Sequence, residues 1–170
     1  MCGIIGVTSS NNVQDYIISS LKRLEYRGYD SSGLATISNN KLNLCRAEGK
    51  INNLTSKLEE TPLEGSIGIG HTRWATHGNI SVDNAHPHVS GQVAIVHNGI
   101  IENYQKIKKE LISKGRKFTS QTDSEVIAHL FDEELSKNIS KKNATQNVLK
   151  ILEGAYAFVV LDLNEPDTLI

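Results

Sequence analysis

Two cysteines, three prolines, one tryptophan and 5% aromatic residues are all that 170 residues carry of the types that mark specialised architectures. Two cysteines cannot build the disulfide framework of a small secreted scaffold, so Cys2 and Cys45 are expected as reduced thiols. No apolar run approaches the roughly 20 residues of a spanning helix, so no membrane partner is expected. Charge of either sign is not in excess, with 18 Lys plus Arg against 19 Asp plus Glu. Without a basic field, no nucleic-acid partner is expected either. The N-terminus has no charged segment followed by a long apolar stretch, which predicts a cytoplasmic location. A chain of this length forms one domain, residues 1-170, that buries roughly 68 to 70% of its unfolded surface.

What the sequence does have is a succession of two periodicities. Cys2 to Thr8 is a short apolar run with β-branched residues, the pattern of a buried strand. From Val13 the apolar residues fall at Val13, Tyr16, Ile17, Leu21 and Leu24, one face of a helix that ends by Arg27-Gly28. Gly33–Ser38 and Lys41–Arg46 read as a hairpin around Asn39-Asn40, residues that tolerate the left-handed conformation of a tight turn. Ile51–Glu60 reads as a helix, Ser66–Thr72 as a glycine-rich strand, and Gln92–His97 as a buried strand ending in a turn at Asn98-Gly99, after a long loop. Tyr104, Ile107, Leu111 and Ile112 mark a helix stopped by Gly115. Thr122-Asp123-Ser124-Glu125 has the form of a capping box before another helix. A last helix up to Glu153-Gly154 precedes a strand from Ala155 to Asp162. The hairpin and the absence of strict strand–helix alternation predict an α+β fold with antiparallel sheets.

Several residues could carry chemistry, each with a plainer role beside it. Cys2 could be a small residue opening a buried strand. If Met1 is removed, it becomes a thiol of ordinary pKa about 8.5 beside an α-amine of about 7.7 to 8.0, nucleophile and base on one residue. Asn98-Gly99 could be only a turn, or an amide and a backbone N–H that stabilise an oxyanion. Arg73, Trp74, Thr76 and His77 share a loop, where a forked cation, a large ring and two polar groups suggest ligand contact. The plainer reading is an exposed loop with Trp74 packed over the core. Asp123 caps a helix or meets a ligand amine. His86 and His88, with His71, His77 and His97 elsewhere, keep a metal-binding module as an alternative, although no second cysteine or glutamate stands at a ligand spacing.

Taken together, six ordered blocks resemble one family. They are Cys2-Gly3-Ile4-Ile5-Gly6, LEYRGYDSSG (24–33), HTRWATHG (71–78), NAHPH (84–88), VHNGIIEN (96–103) and TDSEVIAHL (122–130). The sequence is similar to the glutaminase domains of glucosamine-6-phosphate synthases, within the class II glutamine amidotransferases. The amidophosphoribosyltransferase branch is the nearest alternative. The resemblance implies an N-terminal-nucleophile hydrolase fold, a four-layer αββα sandwich with antiparallel sheets, incomplete at its C-terminus. It implies Cys2 as nucleophile, with Asn98 and Gly99 forming the oxyanion hole. Arg73 and Asp123 would hold the α-carboxylate and α-amino group of L-glutamine, with Thr76, His77 and Gly99 in further contact. Arg27 would help order the site, and Trp74 would gate it. No cofactor and no metal are implied. Fructose 6-phosphate would be a partner only through sugar-isomerase domains absent from these residues, so this chain alone is not expected to make glucosamine 6-phosphate. The full-length protein is expected to be a homo-oligomer.

Overall fold

A computed structural model describes residues 2–170. The elements run β1 Gly3–Thr8, α1 Gln14–Arg23, β2 Ser31–Ser38, β3 Lys41–Glu48, α2 Ile51–Glu60, β4 Ile67–Arg73, β5 His88–Ser90, β6 Val93–Ile101, α3 Tyr104–Ser113, α4 Glu125–Leu135, α5 Lys141–Ile151 and β7 Gly154–Asp162. They make two antiparallel sheets, one in the order β1-β4-β2-β3 and one in the order β5-β6-β7.

Three apolar layers hold the sandwich together, and strand alternation assigns residues to them. Helices α1 and α2 pack Ile17, Leu21, Ile51 and Leu54 with Leu34 of β2 on the outer face of the first sheet. The next residue, Ala35, points the other way and joins Ile37, Ile67, Ile69, Ala94, Val96 and Leu161 between the sheets. On β6 the same alternation sends Val93 and Ile95 outward to Ile107, Ile127, Phe131 and Val148 of helices α3 to α5. Each large aliphatic side chain that is fully buried in this way contributes about 1.5–3 kcal/mol.

Helix α1 lies close to β4 because two glycines face it. A Cβ on Gly68 would stand 2.8 Å from Ile17 Cδ1, and one on Gly70 would stand 2.4 Å from Ile17 Cγ2. The glycine-rich run therefore serves packing. The β2–β3 hairpin turns at Asn39 and Asn40, both at positive φ (50° and 53°), as expected for an Asn-Asn turn.

Five expectations need correction. Arg73, expected on a loop with Trp74, Thr76 and His77, is instead the last residue of β4. The Asn98-Gly99 pair is not a turn: β6 runs on through it to Ile101, with Asn98 opposite Ala157 and Gly99 opposite Tyr156. Gly99 lies at φ 125° with a carbonyl 2.2 Å from where its Cβ would stand, so glycine is demanded by backbone approach inside a strand. The capping box is not made either: Thr122 Oγ1 meets Ser120 Oγ and His88 Nε2, and the Glu125 carboxylate accepts from Thr119 N and Ser120 N. The long loop before β6 contains a short strand, β5. Tyr16 and Ile112, counted into apolar helix faces, are 62% and 52% exposed.

Candidate active site

Strands β1, β4 and β6 reach the same end of the sandwich, and the alternation that builds the inner core carries on past it. On β1 the inward series ends Ile4, Cys2; on β4 it continues Ile69, His71, Arg73; on β6 it continues Val96, Asn98. Inward-facing positions thus change from aliphatic to polar at one level, and a cavity of about 610 Å³ opens there. Cys2, Arg73, Trp74, Thr76, His77, Asn98, Gly99 and Asp123 all line it. The side chain of Arg27, at the end of a single 3₁₀ turn (Glu25–Arg27), lies outside the described residues, as does Met1.

Cys2 is anchored by its neighbours on both sides. Its Sγ accepts the Trp74 N–H at 3.1 Å, and its carbonyl accepts Asn98 Nδ2 at 3.2 Å. The Gly3 N–H donates to Thr72 Oγ1 at 3.1 Å, which ties the start of β1 to β4. The Sγ also lies 3.6 Å from the Trp74 carbonyl oxygen, so both polar backbone groups of Trp74 face it.

The Arg73 guanidinium is buried and largely committed. It lies 3.6 Å from Asp30 and donates to the carbonyls of His77, Gly78 and Asn79. Asp30 also accepts the Ala75 N–H, and its own N–H donates to the Arg73 carbonyl at 2.7 Å. Arg73 and Asp30 therefore brace the loop that carries Trp74, Thr76 and His77. Asp30 stands in the LEYRGYDSSG block, but nothing local marks it as the brace of a loop some 45 residues away. The Trp74 ring is 54% exposed and lies over Gly28, where a Cβ would come within 2.6 Å of Cζ3. Trp74 is thus a surface ring at the cavity mouth rather than a buried lid.

Asp123 accepts the Ile101 N–H at 2.8 Å and lies 3.9 Å from His77 Nδ1, an ion pair only when His77 is protonated. Its loop is held from below by Glu125, whose carboxylate accepts from Thr119 N (2.8 Å), Ser120 N (2.7 Å) and Ser120 Oγ (2.6 Å). Burial pushes the Glu125 carboxyl up, but the His129 ring 3.7 Å away and hydrogen bonds from Ser120 and Thr119 outweigh it and hold the group well below the usual carboxylate range. Asn84 joins the two cavity loops: its Nδ2 donates to the Asn79 carbonyl (2.9 Å) and to Gln121 Oε1 (3.1 Å), and its Oδ1 accepts Gln121 N (2.8 Å).

The buried histidines pack ring against ring, His71 on His86 at a tilt and His86 on His88 edge-on. His71 and His86 have ring centroids 4.1 Å apart, and His86 and His88 4.5 Å. His88 Nε2 is engaged by Thr122 Oγ1 at 2.9 Å and His97 Nδ1 by Ser124 Oγ at 2.8 Å. Burial lowers the pKa of His71 and His88 to about 3 and pushes His86 well down, so these rings are neutral. Among the described residues, no group of three or more His, Cys, Asp or Glu side chains is arranged to hold a metal ion. No helix of the described residues is long and apolar enough to cross a membrane.

Residues 71–170 match the glutamine amidotransferase domain family. Over all 170 residues the chain is 52% identical to the glutamine–fructose-6-phosphate aminotransferase (isomerizing) of Zymomonas mobilis, spanning 28% of that protein. Over 161 residues, 95% of the chain, it is 55% identical to the enzyme of the same name from Bartonella quintana, spanning 26% of it. Among solved structures, the glutamine phosphoribosylpyrophosphate amidotransferase of B. subtilis superposes with a TM-score of 0.81 at 27% identity, covering 96% of this chain and 35% of that one. A class II glutamine aminotransferase domain protein from Silicibacter pomeroyi shares the fold, with a TM-score of 0.60 at 16% identity over 95% of this chain and 73% of that one. With its α+β sandwich of N-terminal-nucleophile type and a cysteine at the mouth between the sheets, the chain belongs to the glutamine amidotransferase domain family.

Proposed function

We propose that residues 1-170 form a glutaminase module that splits the side-chain amide of L-glutamine and supplies ammonia for making glucosamine 6-phosphate from fructose 6-phosphate. One observation carries this reading: the Cys2 thiol shares a cavity with an amide donor, Asn98, and with a cation and a carboxylate, Arg73 and Asp123. Such a cavity matches an amino acid with a reactive carboxamide at its far end.

In the mechanism, removal of Met1 frees the Cys2 α-amine. That amine takes the thiol proton, and the sulfur attacks the glutamine carboxamide carbon. The negative charge that develops on the carboxamide oxygen is met by Asn98 Nδ2–H and the Gly99 N–H. The ammonium of Cys2 returns its proton to the departing nitrogen, the C–N bond breaks, and ammonia leaves a γ-glutamyl thioester. Water adds to the thioester carbon and gives a proton to the amine. The C–S bond breaks, the sulfur recovers the proton, and glutamate is released. Arg73 and Asp123 orient the α-carboxylate and α-amino group, Thr76 and His77 add contacts, and Trp74 gates entry. Arg27 helps order the site.

The acceptor rests on the relatives at 52% and 55% identity, which are named for fructose 6-phosphate. The phosphoribosylpyrophosphate amidotransferase reaches only 27%. Sugar-isomerase chemistry would lie in the portion of those relatives that this chain does not span. For the whole protein we propose a cytoplasmic location and a homo-oligomer, as the family resemblance implies.

The test is glutamate release by the intact protein, read beside its mass. Active protein is expected to lack Met1, Cys2→Ala is expected to abolish release, and Arg73→Ala is expected to raise KM more than it lowers kcat. An electrophilic glutamine mimic should label Cys2. Active protein that retains Met1, or a mimic that modifies another residue, would overturn the proposal.

A further inference from the structure

Asn98 can stabilise an oxyanion only if its carboxamide presents NH2, not oxygen, to the reacting end of the cavity. A carboxamide looks nearly the same both ways round, so something must choose between them. Nothing on β6 itself does so, but β4 supplies a candidate.

His71 Nε2 lies 2.9 Å from the His97 carbonyl oxygen and 2.9 Å from Asn98 Oδ1. A carbonyl oxygen only accepts, so Nε2 must carry the hydrogen. The atom of Asn98 that faces this N–H must then be its oxygen, and Nδ2 points the other way, where it donates to the Cys2 carbonyl at 3.2 Å. In the reverse orientation an NH2 would face an N–H and an oxygen would face a carbonyl, replacing two attractions with two repulsions. The ring itself is held: His71 is fully buried and packs against His86, with centroids 4.1 Å apart and the rings tilted by 31°. Its Nδ1 has no hydrogen-bond partner among the described residues, so Nε2 is the nitrogen that makes contacts.

We propose that His71 is a positioning residue: its Nε2–H, fixed by the His97 carbonyl, holds the Asn98 carboxamide with its NH2 toward Cys2 and the cavity. The proposal rests on the glutaminase reading and adds to it a residue that does not itself line the cavity. It also gives the buried histidine a role without a metal. The His97 carbonyl acts on His71 as an orienting acceptor acts on a catalytic histidine, by selecting the tautomer.

The experiment is steady-state glutamine hydrolysis by the intact protein carrying His71→Leu or His71→Gln. Loss of the orientation should cost the leucine variant on the order of 100-fold in kcat, the effect of removing an oxyanion donor, with KM nearly unchanged. The glutamine variant keeps an N–H donor near the same place and should recover about tenfold or more of that loss. In an Asn98→Ala background, His71→Leu should cost less than about threefold, because the group it orients is already gone.

A leucine variant as fast as the parent, equal losses in both variants, or a full additional loss on top of Asn98→Ala would each overturn the proposal. Where the leucine variant fails to fold, the ring ¹⁵N signals of His71 in the parent decide: a proton on Nε2 supports the proposal, and a proton on Nδ1 overturns it. Cys2→Ala separates the two readings. If Cys2→Ala stays active, the glutaminase proposal fails, and the ring signals still report on His71.

Discussion

The space between the two sheets has a dry end and a polar end, and the same strands build both. At the dry end Ile67 and Ile69 of β4 meet Ala94 and Val96 of β6, with Leu161 of β7 beside them. Two residues further along β4 stand His71 and then Arg73, and two further along β6 stands Asn98. On β1 the step is from Ile4 to Cys2, on β2 from Ala35 to Gly33, and on β3 from Leu44 to Arg46. The change on β2 and β3 makes room for a loop: a Cβ on Gly33 would stand 2.3 Å from the His86 carbonyl, and Arg46 Nη1 donates to the Ala85 carbonyl at 3.2 Å. One end is held by burial of apolar area. The other is held by hydrogen bonds that also fix the geometry of a site. Rigid strands deliver both, so the polar end inherits its precision from the apolar one.

Acidification should separate the two ends most sharply. His71 and His88 have pKa values of about 3 in the fold, against about 6.5 for an unperturbed histidine. Below pH 6.5 the unfolded chain binds protons that the folded chain refuses, so stability falls as the pH drops toward 3. By pH 4 each histidine costs on the order of 3 kcal/mol. Glu125, held below the usual carboxylate range, adds a loss of the same sign once its unfolded form protonates below about pH 4.5. Urea midpoints measured from pH 7 to pH 4 should fall steeply. A flat profile would mean that the histidine end is wet.

Mutation distinguishes the ends by what is lost. Ile69→Ala, at the dry end, should lower unfolding free energy by about 2–5 kcal/mol while the folded fraction keeps its kcat. Asn98→Ala, two positions past Val96, should lower kcat by about 100- to 1,000-fold with an unfolding midpoint close to the parent's. Denaturation and turnover measured on both proteins check the pair, and equal effects on both readouts would erase the distinction. The smallest of these effects belongs to the outer layer. Gly70→Ala pushes a methyl onto Ile17 and should destabilise by about 1–3 kcal/mol, seen in the same denaturation assay, without touching the site.

Much of this was legible in the residues themselves. The amphipathic faces of α1 and α2, the Asn39-Asn40 hairpin and the strands from Gly3, Ile67 and Gly154 follow from local periodicity and turn chemistry, which act over a few residues. The pairing of a thiol with an α-amine on Cys2, conditional on removal of Met1, is an expectation from sequence position. Asn98-Gly99 misled because Asn-Gly is a strong turn signal. Here pairing with Ala157 and Tyr156 of β7 overrides it. Thr122-Asp123-Ser124-Glu125 misled in the same way: each side chain has a local capping use, but the Asp123 and Glu125 carboxylates find backbone donors at Ile101, Thr119 and Ser120 instead.

The sequence alone therefore determined the periods, strand alternation and helical spacing, because both follow from backbone geometry at each position. It also determined that Cys2 could join a nucleophile to a base. Only the tertiary structure decided that Cys2 and Asn98, 96 residues apart, share a hydrogen bond, that Arg73 braces its own loop through Asp30, and that His71 sets the orientation of an amide on another strand. Those contacts depend on the register and stacking of two sheets. Register is fixed by the sum of all the burial and pairing in the sandwich, and no local segment encodes it.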